Sequence, residues 1–255
     1  MPLELVTIPC LKDNYAFLLH DAASGHTTLI DAPEAAPILN ALAARGWHLD
    51  QILLTHHHSD HIQGVPEILA ATSATVLGAN SDAHRLPPLT RALVEGDTIA
   101  IGTGIAQVLD VSGHTLGHLA FYLPDAALAF TADSLMAGGC GRLLEGTPAV
   151  MWQSLSKLAA LPPETLICSG HEYTSTNLAF AASIEPANPA LLARITRTAQ
   201  PRAEGRATVP APLSDELATN PFLRARLPQV KAMVGLPDAT DAAVFAEIRA
   251  RKDHF

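Results

Sequence analysis

Four of the twelve histidines, His56, His57, His58 and His61, fall within six positions, and Asp60 stands among them. The apolar pair Leu53-Leu54 precedes them. In an extended segment alternate side chains share a face, so His56 and His58 can grip one ion while Asp60 and His61, entering a following turn, hold another. The other source of such a run is a solvated histidine tract. Those tracts belong to tails and low-complexity segments and do not follow a buried strand directly.

One loop cannot satisfy a metal, so distant donors just past strand ends matter. His114 in Ser112-Gly113-His114-Thr115, Asp133 after Phe130-Thr131-Ala132, and His171 after Cys168-Ser169-Gly170 are so placed. Singly, each reads as a cap or turn residue. Their shared position is how α/β sheets build sites outside the carboxyl ends of strands. Sorted by reach, His56, His58 and His114 take one ion, Asp60, His61 and His171 the other, and Asp133 bridges both. Imidazole and carboxylate donors without thiolate suit two divalent ions of zinc, iron or manganese, and affinity ordering does not choose among them because supply in the cell intervenes; zinc is the expected pair. Two ions about 3.5–4 Å apart would share a water, lower its pKa towards 7 and clamp a substrate carbonyl, which is hydrolytic chemistry. Asp60 and Asp133 are then the catalytic carboxylates, acting with the bridging hydroxide. His57 and His118 fall outside the ligand set. Asp31, ending an early strand, reads equally as an orienting partner for an imidazole and as a turn former before Ala32-Pro33.

Short apolar, β-branched runs at 3–9, 15–19, 27–31, 51–54 and 74–77 predict strands, with a helix over 33–45 stopped by Gly46. The texture repeats at 98–101, 107–111, 119–123, 128–131 and 166–168, with a helix over 151–161 ended by Pro162-Pro163. Two strand-rich halves with interspersed helices predict a layered α/β sandwich. After Gly170 helical patterns take over and no further strand is expected. Asn188-Pro189 and Asn220-Pro221 each read as a helix cap followed by proline at the first helical position, 200–212 as a connection, and a last helix opens at 238–240. The predicted domains are 1–173, catalytic, and 174–255, helical and substrate-binding.

The 255 residues carry a net charge of −9, divided as −12 over 1–189 and +3 over 190–255. An acidic catalytic part argues against a nucleic-acid surface. Cys10, Cys140 and Cys168 form no Cys-x-x-Cys pair, so a thiolate zinc site is excluded and a reduced, cytoplasmic setting is expected. No run reaches membrane-spanning length and no signal-peptide pattern opens the chain, so neither membrane nor export is expected.

Thr55-His56-His57-His58-Ser59-Asp60-His61, Gly113-His114-Thr115-Leu116-Gly117-His118, Thr131-Ala132-Asp133 and Gly170-His171-Glu172, in that order, resemble the metallo-β-lactamase superfamily. Within it the chain is similar to the glyoxalase II family over nearly its whole length. Lys12-Asp13-Asn14-Tyr15, His171-Glu172-Tyr173-Thr174 with Asn177, Asn220-Pro221-Phe222-Leu223-Arg224 and Arg249-Ala250-Arg251-Lys252-Asp253 carry that likeness. The resemblance implies an αββα sandwich with an all-helical C-terminal domain. It implies hydrolysis of S-D-lactoylglutathione and related hydroxyacyl thioesters to D-lactate and glutathione, the second step of methylglyoxal detoxification, by a monomer. It also implies glutathione contacts at Tyr173, Arg249 and Lys252 and in the loop bearing Arg142. Three positions depart from the family: Arg142 stands where lysine is usual, Leu144 where tyrosine is usual, and Gln63 where glycine is common after the metal motif. An iron-dependent persulfide dioxygenase, or a thioesterase for another thiol carrier, is the competing reading. Lysine and arginine in a last helical turn also complement the helix dipole, so Arg249 and Lys252 have a purely stabilising alternative.

Overall fold

A computed structural model describes residues 3–255. They form two compact units: residues up to Asp110 with Leu116–Thr131, and Val111–Thr115 with Ala132–Phe255.

In the first unit β1 (Glu4–Cys10), β2 (Asn14–Asp21) and β3 (His26–Ile30) form an antiparallel meander, in register from Glu4 opposite His20 and Phe17 opposite Ile30. From β3 the sheet turns parallel. The helix α1 (Ala35–Arg45) crosses to β4 (Gln51–Leu53), short helices α2 (Ser59–Ile62) and α3 (Val65–Ala71) lead to β5 (Thr75–Ala79), and β6 (Arg91–Leu93) completes six strands in chain order. Parallel neighbours need such crossovers, whereas the meander needs only tight turns. Gly46 closes α1 at φ 65°, a left-handed cap that glycine adopts without cost.

Alternation along β2 explains how this sheet is used. Leu18 joins Leu29, Ile52 and Val76 against Ile38 and Leu42 of α1 and Ile68 of α3. Phe17 points the other way and meets Phe130 edge-on at 5.5 Å. Phe130 belongs to an antiparallel meander of β7 (Thr98–Ile101), β8 (Gly104–Asp110), β9 (Leu119–Leu123) and β10 (Leu128–Ala132). The two sheets therefore pack face to face, and Gln51 joins them by donating to the Ala100 carbonyl at 2.9 Å.

The second unit contains the hairpin β11 (Leu135–Met136) and β12 (Gly139–Cys140), then α4 (Pro148–Ala159), β13 (Leu166–Ser169), α5 (Thr174–Ile184), α6 (Pro189–Ala203), β14 (Ala211–Pro212), α7 (Leu213–Thr219), α8 (Pro228–Met233) and α9 (Asp241–Asp253). The stacked rings of Phe180 and Phe222, with Phe245 edge-on to Phe222, form part of its core. Asn188 caps α6 as expected, accepting from the amides of Ala190 and Leu191. Two expectations fail here. A strand does follow Gly170, because Ala211–Pro212 pairs with β13 inside the segment read as a connection. Asn220 ends α7 and starts no helix, since its amide donates to the Gly139 carbonyl and to Glu216, and turns follow it. Gly139 lies 81 residues from Asn220, and β13 is likewise distant in sequence from β14, so neither partner leaves a local signal.

Candidate metal centre

The apolar strand β4 delivers its last residues into a loop where the backbone is tied from the side. Asp31, at φ 55°, accepts from the Thr55 amide at 2.8 Å, the Thr55 hydroxyl at 2.7 Å and the His61 ring at Nδ1, also at 2.7 Å. Left-handed backbone at a non-glycine residue is uncommon, though aspartate tolerates it better than most and such positions gather near functional sites. With three bonds accepted, Asp31 orients ligands and has little left for a metal. The bond at Nδ1 makes Nε2 the candidate ligand atom of His61.

His56 and His58 face each other, with Nε2 of the first 3.1 Å from Nδ1 of the second and their rings nearly perpendicular. Two imidazole nitrogens this close are suited to sharing one cation. Asp60 lies in the first turn of α2, and Asn14 at the start of β2 donates to both its carbonyl at 2.9 Å and its carboxylate at 3.1 Å. His57 turns to the opposite side of the segment, towards Asp82, and His118 stacks on His56 at 4.7 Å.

In the second unit His114, Asp133 and His171 converge. One oxygen of Asp133 lies 3.5 Å from Nε2 of His114 and 3.3 Å from Nε2 of His171. The Arg142 carbonyl accepts from Nδ1 of His114 at 2.7 Å, which fixes the tautomer that presents Nε2. Gly141 makes this approach possible: a Cβ there would lie 2.0 Å from the Asp133 carbonyl oxygen and 3.0 Å from Nδ1 of His114. Tyr173 stacks on the His171 ring at 4.8 Å, nearly parallel.

The donor set suits hard-to-borderline divalent ions. Three of its histidines, His56, His61 and His114, have Nδ1 anchored by the Thr55 hydroxyl, Asp31 and the Arg142 carbonyl, and no thiolate is among the donors. Cys10, Cys140 and Cys168 are buried and unpaired, and desolvation pushes the first two thiols up to about 11 and raises the third as well.

The residues expected to meet glutathione are placed differently from one another. Arg142 is exposed and its guanidinium lies 3.5 Å from Asp253, so its backbone, and not its charge, serves His114. Arg249 is 6 % exposed, donates to the Cys140 carbonyl at 3.1 Å and to Asp253 at 2.9 Å, and lies over the Phe222 ring. Lys252 places its ammonium over Phe180 and Phe255, with one bond at 3.4 Å to the Thr176 carbonyl. Asn14, Thr55 and the Arg142 carbonyl make contacts to the candidate site that residue chemistry and spacing did not single out.

Comparison with known proteins places these features in a family. Residues 15–171 match the family described as the metallo-beta-lactamase superfamily, and residues 172–255 match the hydroxyacylglutathione hydrolase C-terminus. A hydroxyacylglutathione hydrolase of Fuscovulum blasticum is 70% identical over the full length of both chains. Among solved structures, the BLEG-1 B3 metallo-beta-lactamase superposes with a TM-score of 0.68 at 21% identity, covering 86% of this chain and 99% of its own. TTHA1623 in a di-iron-bound form is 31% identical with a TM-score of 0.57, covering 66% of this chain and 91% of its own. The fold is thus the αββα metallo-β-lactamase sandwich followed by a helical C-terminal part, and the chain belongs to the hydroxyacylglutathione hydrolase, or glyoxalase II, family of that superfamily.

Proposed function

We propose that this chain hydrolyses S-D-lactoylglutathione, and related S-2-hydroxyacylglutathiones, to the hydroxy acid and glutathione. The observation that carries the reading is the donor arrangement: paired imidazoles at His56 and His58, an anchored His61 beside Asp60, and the Asp133 carboxylate between His114 and His171. Two divalent ions are assigned to it, one on His56, His58 and His114, the other on Asp60, His61 and His171, with Asp133 common to both. Zinc is the proposed metal, and the di-iron form of TTHA1623 keeps iron as the alternative. Such a pair supplies an activated water and a Lewis acid for the thioester carbonyl.

The chain's own contribution is orientation. Asp31 and the Arg142 carbonyl fix the tautomers of His61 and His114, and Asn14 steadies Asp60, so the ligands need little rearrangement when metal arrives. Tyr173, Arg142, Arg249 and Lys252 are assigned to the glutathione moiety. Residues 174–255 form the proposed substrate-binding part, residues 1–173 the catalytic part, and the enzyme is proposed to act as a monomer. Three buried, free thiols support a reducing, cytoplasmic setting. Among the described residues no helix is long and apolar enough to cross a membrane.

Steady-state hydrolysis of S-D-lactoylglutathione, compared with other thioesters and with metal analysis on the same sample, tests the reading. About two ions per chain and a clear preference for the glutathione thioester are expected. One ion per chain with oxygen consumed on a glutathione persulfide would overturn it.

A further inference from the structure

His57 lies between two proposed ligands and is used by neither ion, yet both of its ring nitrogens are engaged. Nδ1 is 2.8 Å from Oδ2 of Asp82, and Nε2 is 3.1 Å from Nη1 of Arg85. Arginine only donates, so Nε2 is the acceptor and Nδ1 carries the proton towards Asp82. Asp82 is buried, ends the 3₁₀ turn Asn80–Asp82, and binds Nε of Arg85 at 3.0 Å through its other oxygen. A Cβ at Gly117 would lie 2.3 Å from the Asp82 carboxyl carbon, so the carboxylate is also packed against bare backbone in a second loop. Three segments meet on this one side chain.

Successive side chains in an extended segment point to opposite sides, so a segment that offers His56 and His58 on one face is best fixed from the other. We propose that Asp82 and Arg85 are positioning residues that act through His57, holding the backbone from which His56 and His58 present their nitrogens. This rests on the metal-centre reading above. Thr55 is held by Asp31 and His57 by Asp82, so the residues on either side of His56 are anchored by buried carboxylates.

The test measures the rate of metal transfer from the loaded full-length protein to a chelator, beside its thermal midpoint. Loss of an outer partner of a metal ligand costs about 10–100-fold in metal affinity or activity. His57→Ala and Asp82→Ala are therefore expected to release metal about 10–100-fold faster. His57→Asn, whose amide reproduces the Nδ1 donor to Asp82, is expected to stay close to the parent rate. Arg85→Ala, at a partly exposed position, is expected to fall between them. Parent-like release from His57→Ala, or from Arg85→Ala should the buried variants fail to fold, overturns the proposal. Equal losses in His57→Asn and His57→Ala that merely follow a lowered midpoint would reduce His57 to packing and overturn it too. A parent protein that never holds two ions identifies failure of the metal-centre reading itself, whereas a two-ion parent with unaffected variants identifies failure of this inference alone.

Discussion

The loop after β4 and the terminal helix α9 both concentrate ionisable side chains, and they use them in opposite ways. In the loop protein partners take the Nδ1 side of candidate imidazole ligands: the Thr55 hydroxyl at His56, Asp31 at His61, and by the same logic the Arg142 carbonyl at His114 in the second unit. In α9 the Arg249 guanidinium turns inward to the Cys140 carbonyl, Asp253 and the Phe222 ring. A cluster of charge is therefore poor grounds for assigning a ligand site. What matters is which donor atoms the surrounding structure leaves to spare.

The comparison breaks most severely at Asp133. Replacing it with alanine removes the group assigned to both ions, and a loss of about 4 kcal/mol of transition-state stabilisation corresponds to roughly a thousandfold lower kcat. Metal content should fall in the same preparation; full activity with undiminished metal would remove Asp133 from the centre. Asp31→Ala comes next, since it strands donors on Thr55 and His61, each at about 1–3 kcal/mol. Chemical denaturation should show that loss together with weaker metal retention, whereas a stability change without a metal change would make Asp31 only a turn former.

Arg249 and Lys252 sharpen the same contrast at smaller magnitude. Arg249→Ala leaves the buried Cys140 carbonyl without its donor, so a stability loss of about 1–3 kcal/mol is expected alongside any rise in KM. Lys252→Ala should instead raise KM about tenfold with kcat nearly unchanged, the signature of uniform binding to a remote carboxylate. Unchanged KM in both variants would leave α9 with the stabilising role that a cationic helix end suggests. Burial, and then the Arg249 charge, lower the Lys252 pKa below its ordinary value. Its charged form is thus disfavoured by folding at pH below the unfolded pKa, and stability is regained as pH rises through that range. Substrate binding through its charge should be lost over the same alkaline window, so KM should climb at lower pH than an ordinary lysine near 10.4 would dictate. A KM that stays flat up to that pH would show that Lys252 does not bind through its charge.

The smallest effect is expected at Arg142. Its side chain makes one exposed ion pair, worth about 0–1 kcal/mol, while its contact to His114 is made by the backbone. Arg142→Ala should leave metal content unchanged, whereas Gly141→Ala next to it should disturb both Asp133 and His114. Equal tolerance at the two positions would mean that the close approach at Gly141 is not needed.

Residue order alone carried the ligand-bearing motifs, because a strand forces alternate side chains onto one face and ligand spacing follows from that periodicity. It likewise carried most strands, the α1 stop at Gly46, the Asn188 cap and the opening of α9 near Thr240, since these are local chemistry. The short helices α2 and α3, the β14 pairing and the turn at Asn220 were settled by tertiary structure. The two-residue strand β14 exists only because Ala211 and Pro212 meet Leu166 and Ile167, and Asn220 is drawn to Gly139 across 81 positions. The partners that steady the candidate ligands and their loop belong to the same class. Asn14, Asp82 and the carbonyl of Arg142 act through where folding puts them, and a carbonyl, present at every residue, leaves no mark in sequence at all. Sequence supplied the candidate metal-binding side chains; only the fold decided which of their atoms are already taken.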